Sequence, residues 1–377
     1  MARPGFVCPH RAATGAARAG AAACHYPGMT DPAAHDASGR AFETLLSLCA
    51  ADALGAATEF KSEASIRAQY GERIVTYQPG SVFGFAPGEA TDDSQMVAAT
   101  LLGYRAAGPD APEDARHLAV LSALRDWLGA APPDVGGLTR RALQVTARQP
   151  ERLDGGALAW QESGLNGAGN GGLMRIAAPF LAGFRGEALA RESAVVTALT
   201  HADPRCVHAS VFLTAFMEAL AASRLAASRY EAAADAALRV MERFDARLAL
   251  VEAGVLGVDS QSAHAAFRER DRAARGEVRS RVRAGLAGHL TSQSGFVLDT
   301  LEAAVAHARG ADWLACVEPA ALLGDDSDTV ACVVGALIGA RGLRVPPDLR
   351  PALRLGHSWP GWERDWPCVD HLGALLP

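Results

Sequence analysis

The chain has 377 residues, 49% of them hydrophobic, with a formal net charge of −6 and a pI near 6.0. That content supplies a large core, and the acidic balance argues against a nucleic-acid groove or an anionic membrane partner. The basic residues are arginines but for one lysine, Lys61, which together with the Ala and Gly content reads as a GC-rich, bacterial coding bias and carries no function.

The first 28 residues are rich in Ala, Gly and Arg and lack a leucine-type apolar stretch, so they read as a disordered extension and not a signal peptide. Met29 opens a segment suited to an ordinary N-terminus. Residues 29–377 offer no linker long enough to cut the chain and read as one all-α domain. No segment reaches the roughly 18 apolar residues of a membrane span. The seven cysteines (8, 24, 49, 206, 316, 332 and 368) are odd in number, irregularly spaced and without C-x-x-C. They read as reduced thiols of a cytoplasmic protein.

In chain order, an apolar helical run from Phe42 carries Asp52 within "ADALGAATEF" (51–60). That aspartate is either buried and paired or a kink satisfied by solvent. Glu59 follows one turn after Gly55, and its plain reading is an exposed acid. "RIVTY" (73–77) is the best strand signal. A turn-rich break, "YQPGSVFGFAPGEA" (77–90), then leads into "TDDS" (91–94) and an apolar helix. Leu118, Leu121, Leu124 and Leu128 recur at helical spacing, and "GAAPPDVGG" (129–137) is a second break.

The next stretch, "GLNGAGNGGLMR" (164–175), has glycines at 164, 167, 169, 171 and 172 that free backbone N–H groups to approach an anion. Taken alone it reads first as a flexible loop, and it matches neither the P-loop nor the dinucleotide fingerprint. "THADPRCVHAS" (200–210) puts His201 before an Asp203-Pro204 helix start. "GDDSDTVACVVGALIGA" (324–340) sets Asp325, Asp326 and Asp328 against an apolar helix. From Val345 onward Pro and Trp are frequent, and Trp359, Trp362 and Trp366 read as a cap on the core or as a partner surface.

Helix capping, with the helix dipole, accounts for one acid at each helix start. It does not account for Asp92 and Asp93 with Thr91 at one start, and Asp326 and Asp328 with Thr329 at another. Carboxylates leaving water need pairing, protonation or a metal. If the two starts converge they offer hard oxygen ligands suited to Mg²⁺ or Mn²⁺, with room for two ions.

Five segments in this order resemble the ADP-ribosylglycohydrolase family. They are Ala51-Asp52-Ala53-Leu54-Gly55 with Glu59, Thr91-Asp92-Asp93-Ser94, Gly169-Asn170-Gly171-Gly172-Leu173-Met174-Arg175, His201-Ala202-Asp203-Pro204, and Gly324-Asp325-Asp326-Ser327-Asp328-Thr329. "SGFVLDTLEAAV" (294–305) is similar to the family's penultimate helix, and the resemblance spans roughly residues 40–345.

The resemblance implies a compact, orthogonal all-α domain with a binuclear metal cleft holding two divalent cations, Mg or Mn. It implies that Thr91, Asp92, Asp93, Asp326, Asp328 and Thr329 are the metal ligands. It implies that Gly169, Asn170, Gly171, Met174 and His201 bind the substrate, and that Glu59, Asp93 and Asp328 serve catalysis. The expected activity is hydrolysis at C1″ of an ADP-ribosylated acceptor, with arginine on protein as the expected linkage and ADP-ribose as product. Nucleic acid enters only as a modified substrate, and no membrane partner is expected. Four positions depart from the family pattern: Ala51 and Asp325 replace glycines, and Ser94 and Ser327 replace threonines. Asp325 is expected to add charge beside the metals. Two other readings remain open: an ADP-ribose-binding or toxin-neutralising immunity protein acting by occlusion, and a crystallin-like structural member.

Overall fold

A computed structural model describes residues 32–223 and 229–376. The expected disorder of residues 1–28 lies outside the described residues. The chain folds into α1 (Pro32–Gly55), α2 (Glu63–Tyr70), α3 (Asp92–Ala107), α4 (Glu113–Gly129), α5 (Gly137–Val145), α6 (Gly155–Glu162), α7 (Ala177–Leu181) and α8 (Gly186–Ala198). There follow α9 (Pro204–Ser223), α10 (Tyr230–Arg243), α11 (Ala246–Glu252), α12 (Gln261–Leu286), α13 (Val297–His307), α14 (Trp313–Ala321), α15 (Ser327–Arg341) and α16 (Cys368–Leu372). The expected all-α class is what forms. α14 stands between α13 and α15, so the 294–305 segment is not the penultimate helix of this chain.

The expected strand at 73–77 does not form. A strand needs a ladder partner, and here the Ile74 N–H donates to the Glu318 carboxylate, at 3.0 Å, while Arg73 pairs with the same carboxylate. The apolar Ile74 is thus buried without any sheet.

The centre of the fold is the contact of α1 with α15, the most extensive between any two helices. Gly335 and Gly339 make it possible. A Cβ at Gly335 would lie 2.7 Å from the Ser47 carbonyl oxygen, and one at Gly339 would lie 2.7 Å from Thr44 Cα. The Ser47 hydroxyl donates to the Gly335 carbonyl, at 2.7 Å, and accepts from Trp313 Nε1, at 2.9 Å. Every residue of α15 is buried, so the helix carries no amphipathic stripe and reads as one apolar run.

By length and composition Pro204–Ala222 could cross a membrane, contrary to the expectation from apolar run length. Arg205, His208 and Glu218 interrupt the run without lowering the average enough. Within the fold this segment is 72% buried, because α8, α10, α12, α13 and α15 pack around α9. The five described cysteines (49, 206, 316, 332 and 368) are buried and free. Trp359 and Trp362 are buried and stacked at 6.0 Å, with Trp366 edge-on to Trp362 at 5.8 Å, so the tryptophans cap the core.

Candidate active site

Asp52 is fully buried in α1 and is satisfied by the start of α3. Its carboxylate accepts the backbone N–H of Thr91, at 3.1 Å, and of Ser94, at 3.0 Å, together with the hydroxyls of Thr91, at 2.9 Å, and Ser94, at 2.5 Å. Burial pushes its pKa up to about 6 against the opposing pull of the Ser94 and Thr91 hydrogen bonds. Of the two readings of Asp52, the paired one holds. The residue staples α3 to α1 and fixes where Asp92 and Asp93 point. Thr91 is itself the N-cap of α3, a role typically worth about 1 kcal/mol.

The start of α15 is set by a different device. Asp326 occupies the N-cap position but makes no side-chain cap bond. Its carboxylate instead accepts from Asn170 Nδ2, at 2.8 Å. The packing of α15 on α1 is closest here, since a Cβ at Gly55 would lie 2.5 Å from Asp328 Cα. The two helix starts meet directly: Thr329 Oγ1 donates to Asp93 Oδ2, at 3.2 Å.

Between them lies a cavity of about 280 Å³. Its walls include Asp92, Asp93, Asp326, Asp328, Thr329, Glu59, Gly169, Asn170, Gly171, Met174 and His201. The structure therefore gathers all the expected metal-ligating, substrate-binding and catalytic residues but Thr91, which stands behind the wall with its hydroxyl between Asp52 and Asp93. Glu59 is buried, which overturns its reading as an exposed acid.

The glycine-rich stretch is a packed 3₁₀ turn, Asn170–Gly172, and not a loose loop. The Asn170 N–H donates to the Gly295 carbonyl, at 3.0 Å, and its side chain also donates to Thr300 Oγ1, at 2.9 Å. Gly171 abuts the imidazole: a Cβ there would lie 2.9 Å from His201 Cε1. Behind it, the buried Arg175 donates to the Gly171 carbonyl, at 2.5 Å, and to Thr200 Oγ1, at 2.6 Å. Thr200 Oγ1, holding the arginine N–H, gives its own hydrogen to His201 Nδ1, 2.8 Å away. The ring is then neutral with its hydrogen on Nε2. Burial, and secondarily Arg175, lower its pKa to about 3.

Six carboxylates line this cavity: Glu59, Asp92, Asp93, Asp134, Asp326 and Asp328. Among the described residues, no lysine or arginine lines it. Burial first, then neighbouring carboxylates, push Asp92, Asp93 and Asp328 well above the usual carboxylate range. Glu59 rises for the same reasons, with Asp328 as its strongest charged neighbour. Asp93 Oδ1, Asp328 Oδ1 and Glu59 Oε2 are buried without a hydrogen-bond partner. Such oxygens are costly unless protonated or met by a cation.

The donor chemistry suits a hard divalent cation, since carboxylate and hydroxyl oxygens are the ligands Mg²⁺ and Mn²⁺ prefer. Among the described residues, no three His, Cys, Asp or Glu side chains already stand in a closed ligand set, so ligation requires these carboxylates to draw together. Among the described residues, Asp93 Oδ1, Asp328 Oδ1 and Glu59 Oε2 have no partner to release, whereas Asp326 would share its carboxylate with Asn170.

Asp134, Thr139 and Phe60 also line the cavity and were not singled out from sequence. Asp134 comes from the 129–137 break, hydrogen-bonds Asp92, and is raised by burial and by Asp326. Its flanking Pro and Gly carry no motif, and only the fold brings it here. Phe60 is 64% exposed at the rim and holds φ +54°, an outlier for a bulky residue. Two backbone bonds fix it: its N–H donates to the Asp325 carbonyl, at 2.6 Å, and the Asp325 N–H donates to the Lys61 carbonyl, at 3.1 Å. Phe83 lies edge-on to it at 5.9 Å. Lys61 Nζ donates to the carbonyls of Ala57 and Gly80, both at 2.5 Å, tying the 77–90 loop to the end of α1. Asp325 is exposed and does not line the cavity, but its charge still reaches Asp326, whose carboxyl is raised by burial and by Asp325. It takes φ +46°, which explains why glycine suits this position.

The chain was compared with known proteins. No curated protein matches it at a significant level. A solved structure described as an ADP-ribosylglycohydrolase-related protein complex superposes with a TM-score of 0.59 at 21% identity. That match covers 90% of this chain and 96% of the other, and it is a likeness of fold alone. The family profile described as ADP-ribosylglycohydrolase matches residues 33–366. The chain therefore belongs to the ADP-ribosylglycohydrolase family, whose members are hydrolases acting on ADP-ribosylated substrates.

Proposed function

We propose that this protein is a metal-dependent hydrolase that releases ADP-ribose from a modified acceptor, with ADP-ribosyl-arginine on protein as the substrate. The observation that carries the reading is the cavity lined by six carboxylates, with no lysine or arginine lining it among the described residues. Asp92, Asp93, Asp326, Asp328 and Thr329 would hold two Mg²⁺ or Mn²⁺ ions, with Thr91 behind them. Bound there, the cations would lower the pKa of a water and neutralise the carboxylates.

The chain's own residues supply the rest. His201 Nε2–H offers a hydrogen-bond donor to the oxygens of ADP-ribose, and Asn170 fixes the turn that borders it. Met174 and the flat backbone at Gly169 and Gly171 leave room for a sugar against the wall. Asp93 and Asp328 stabilise positive charge developing on the ribose and accept a proton from the attacking water. Glu59, whose burial favours the protonated form, donates its proton to the departing nitrogen. The C1″–N bond breaks, the C1″–O bond forms, and acceptor and ADP-ribose leave.

The test is release of ADP-ribose from an arginine-ADP-ribosylated protein, with Mg²⁺, with Mn²⁺ and with a chelator. Release that depends on metal and disappears in Asp326→Ala is expected. No release from arginine, serine or nucleic-acid linkages overturns the reading and leaves a binding role.

A further inference from the structure

On the face made by α10, α11 and α12 lies a second concavity, of about 330 Å³, that shares no lining residue with the carboxylate cavity. Arg243, Arg247, Arg268 and Arg275 line it, against only two acids, Asp245 and Asp271. In a chain of net charge −6 this is a local reversal of sign.

Both acids are already engaged. Asp245 Oδ1 accepts the Leu248 N–H as the N-cap of α11, at 2.9 Å. Asp271 is bonded to His208 Nε2, at 2.7 Å, and to Arg275, at 2.9 Å. Among the described residues, Arg243 and Arg268 have no side-chain hydrogen bond and no ion pair, and Arg247 reaches only the His264 ring, at 3.4 Å. Arg275 Nε is buried and unpartnered.

Arginines on a long surface helix are ordinarily solvated, and α12 is rich in them. Its other arginines set the comparison. Arg270 donates to the Leu165 carbonyl, Arg279 pairs with Glu242, Arg281 with Asp299 and Glu302, and Arg283 with Asp235. Arg272 is exposed and lies outside the concavity. Among the described residues, Arg243 and Arg268 thus stand unpaired together in the concavity, as Arg272 stands unpaired outside it.

We propose that this arginine-lined concavity is a binding site for a phosphoryl anion, a diphosphate group in particular. Guanidinium forks match phosphoryl oxygens in bidentate geometry, and converging positive charge raises the local anion concentration. The volume lies at the low end of ligand cavities, ~300–1,000 Å³, and so suits a small charged group and not a whole dinucleotide. Inorganic diphosphate and the phosphates of a nucleotide share this chemistry.

Calorimetric titration of the full-length protein with pyrophosphate and with ADP, in chelator and fixed salt, tests the site. We expect the pyrophosphate Kd to rise at least about tenfold in Arg243→Gln/Arg268→Gln, and less than about twofold in Arg272→Gln and in Asn170→Ala. Circular dichroism melts of each variant establish that it folds, and side-chain ¹⁵Nε shifts of Arg243 and Arg268 on titration of the native protein give a readout that needs no variant. Tighter binding of ADP than of pyrophosphate assigns the site to a nucleotide, and equal or weaker binding assigns it to the inorganic anion. The proposal is overturned if the native protein binds neither, if Asn170→Ala removes the binding, or if Arg272→Gln weakens it as much as the double variant. None of these outcomes depends on hydrolase activity.

Discussion

Thr329 Oγ1 donates to Asp93 Oδ2 across 3.2 Å, although the two residues stand 236 positions apart in sequence. Two helix starts with the same acid-and-hydroxyl pattern are therefore one wall. The other oxygen of Asp93 has no partner, so substitution should separate the cost of that charge from its use. Asp93→Asn is expected to raise the metal-free melting temperature, because it removes a buried like charge. It is also expected to abolish stabilisation by Mg²⁺ or Mn²⁺, which in the native protein reaches about 2.7 kcal/mol at a hundredfold excess over Kd. Differential scanning fluorimetry with and without chelator reads both effects. A variant that melts lower and keeps its metal shift would contradict the assignment.

Glu59 is expected to behave differently. Its environment favours the protonated form, which Gln mimics in shape. Glu59→Gln should retain the metal shift and substrate affinity yet lose about 10²–10⁴ in kcat, the usual worth of a positioned proton donor. A rise in KM with kcat intact would make Glu59 a binding group.

His201 gives a pH prediction with a definite sign. Its folded pKa, lowered to about 3, lies below the ~6.5 of an unfolded histidine, so the folded state binds fewer protons between these values. Its contribution to stability is therefore complete above ~6.5 and lost as pH falls. Histidine-selective ¹⁵N NMR at pH 5 should find this ring neutral, with hydrogen on Nε2. A protonated ring at that pH would break the Arg175–Thr200–His201 chain of bonds argued above.

Gly55 is a mechanical test of how the site is held. Gly55→Ala puts a Cβ 2.5 Å from Asp328 Cα, within backbone that cannot yield cheaply. A destabilisation of about 1–3 kcal/mol is expected. The loss of activity should exceed what the unfolded fraction explains, because the start of α15 must shift. Urea titration beside kcat/KM separates the two effects.

Asp325 tests the opposite case. Its side chain is exposed and does not line the cavity, and its backbone sits at φ +46°. Asp325→Gly should stabilise the fold by up to about 1 kcal/mol, the relief of left-handed strain set against the entropy of glycine. Activity should not change. A marked change in metal affinity would show that the carboxylate does reach the site.

The helices were legible because apolar residues recur at three and four, as at Leu121 and Leu124, both buried on α4. The acid-bearing helix starts were legible because their composition is abnormal for caps. What escaped depends on long-range packing. "RIVTY" has strand composition, yet Glu318 takes the Ile74 N–H that a neighbouring strand would need. Asp134 sits among Pro and Gly with no pattern, and only the approach of the 129–137 segment to Asp92 makes it part of the site. Phe60 looks like an ordinary apolar residue, and its exposure follows from a left-handed turn that no local rule assigns to phenylalanine.

The tie made by Lys61 gives the cavity mouth a chemical address. The sequence contains one lysine, and its amine holds the 77–90 loop through Gly80 while standing two residues from Glu59. Apart from the α-amine, an amine-directed reagent therefore meets a single target in the whole chain. Acylating it removes the charge and two of its three donors, so the loop's hold on α1 weakens at that point. A fluorophore placed there would sit beside the rim formed by Phe60 and Phe83, where arrival of an acceptor protein changes its surroundings.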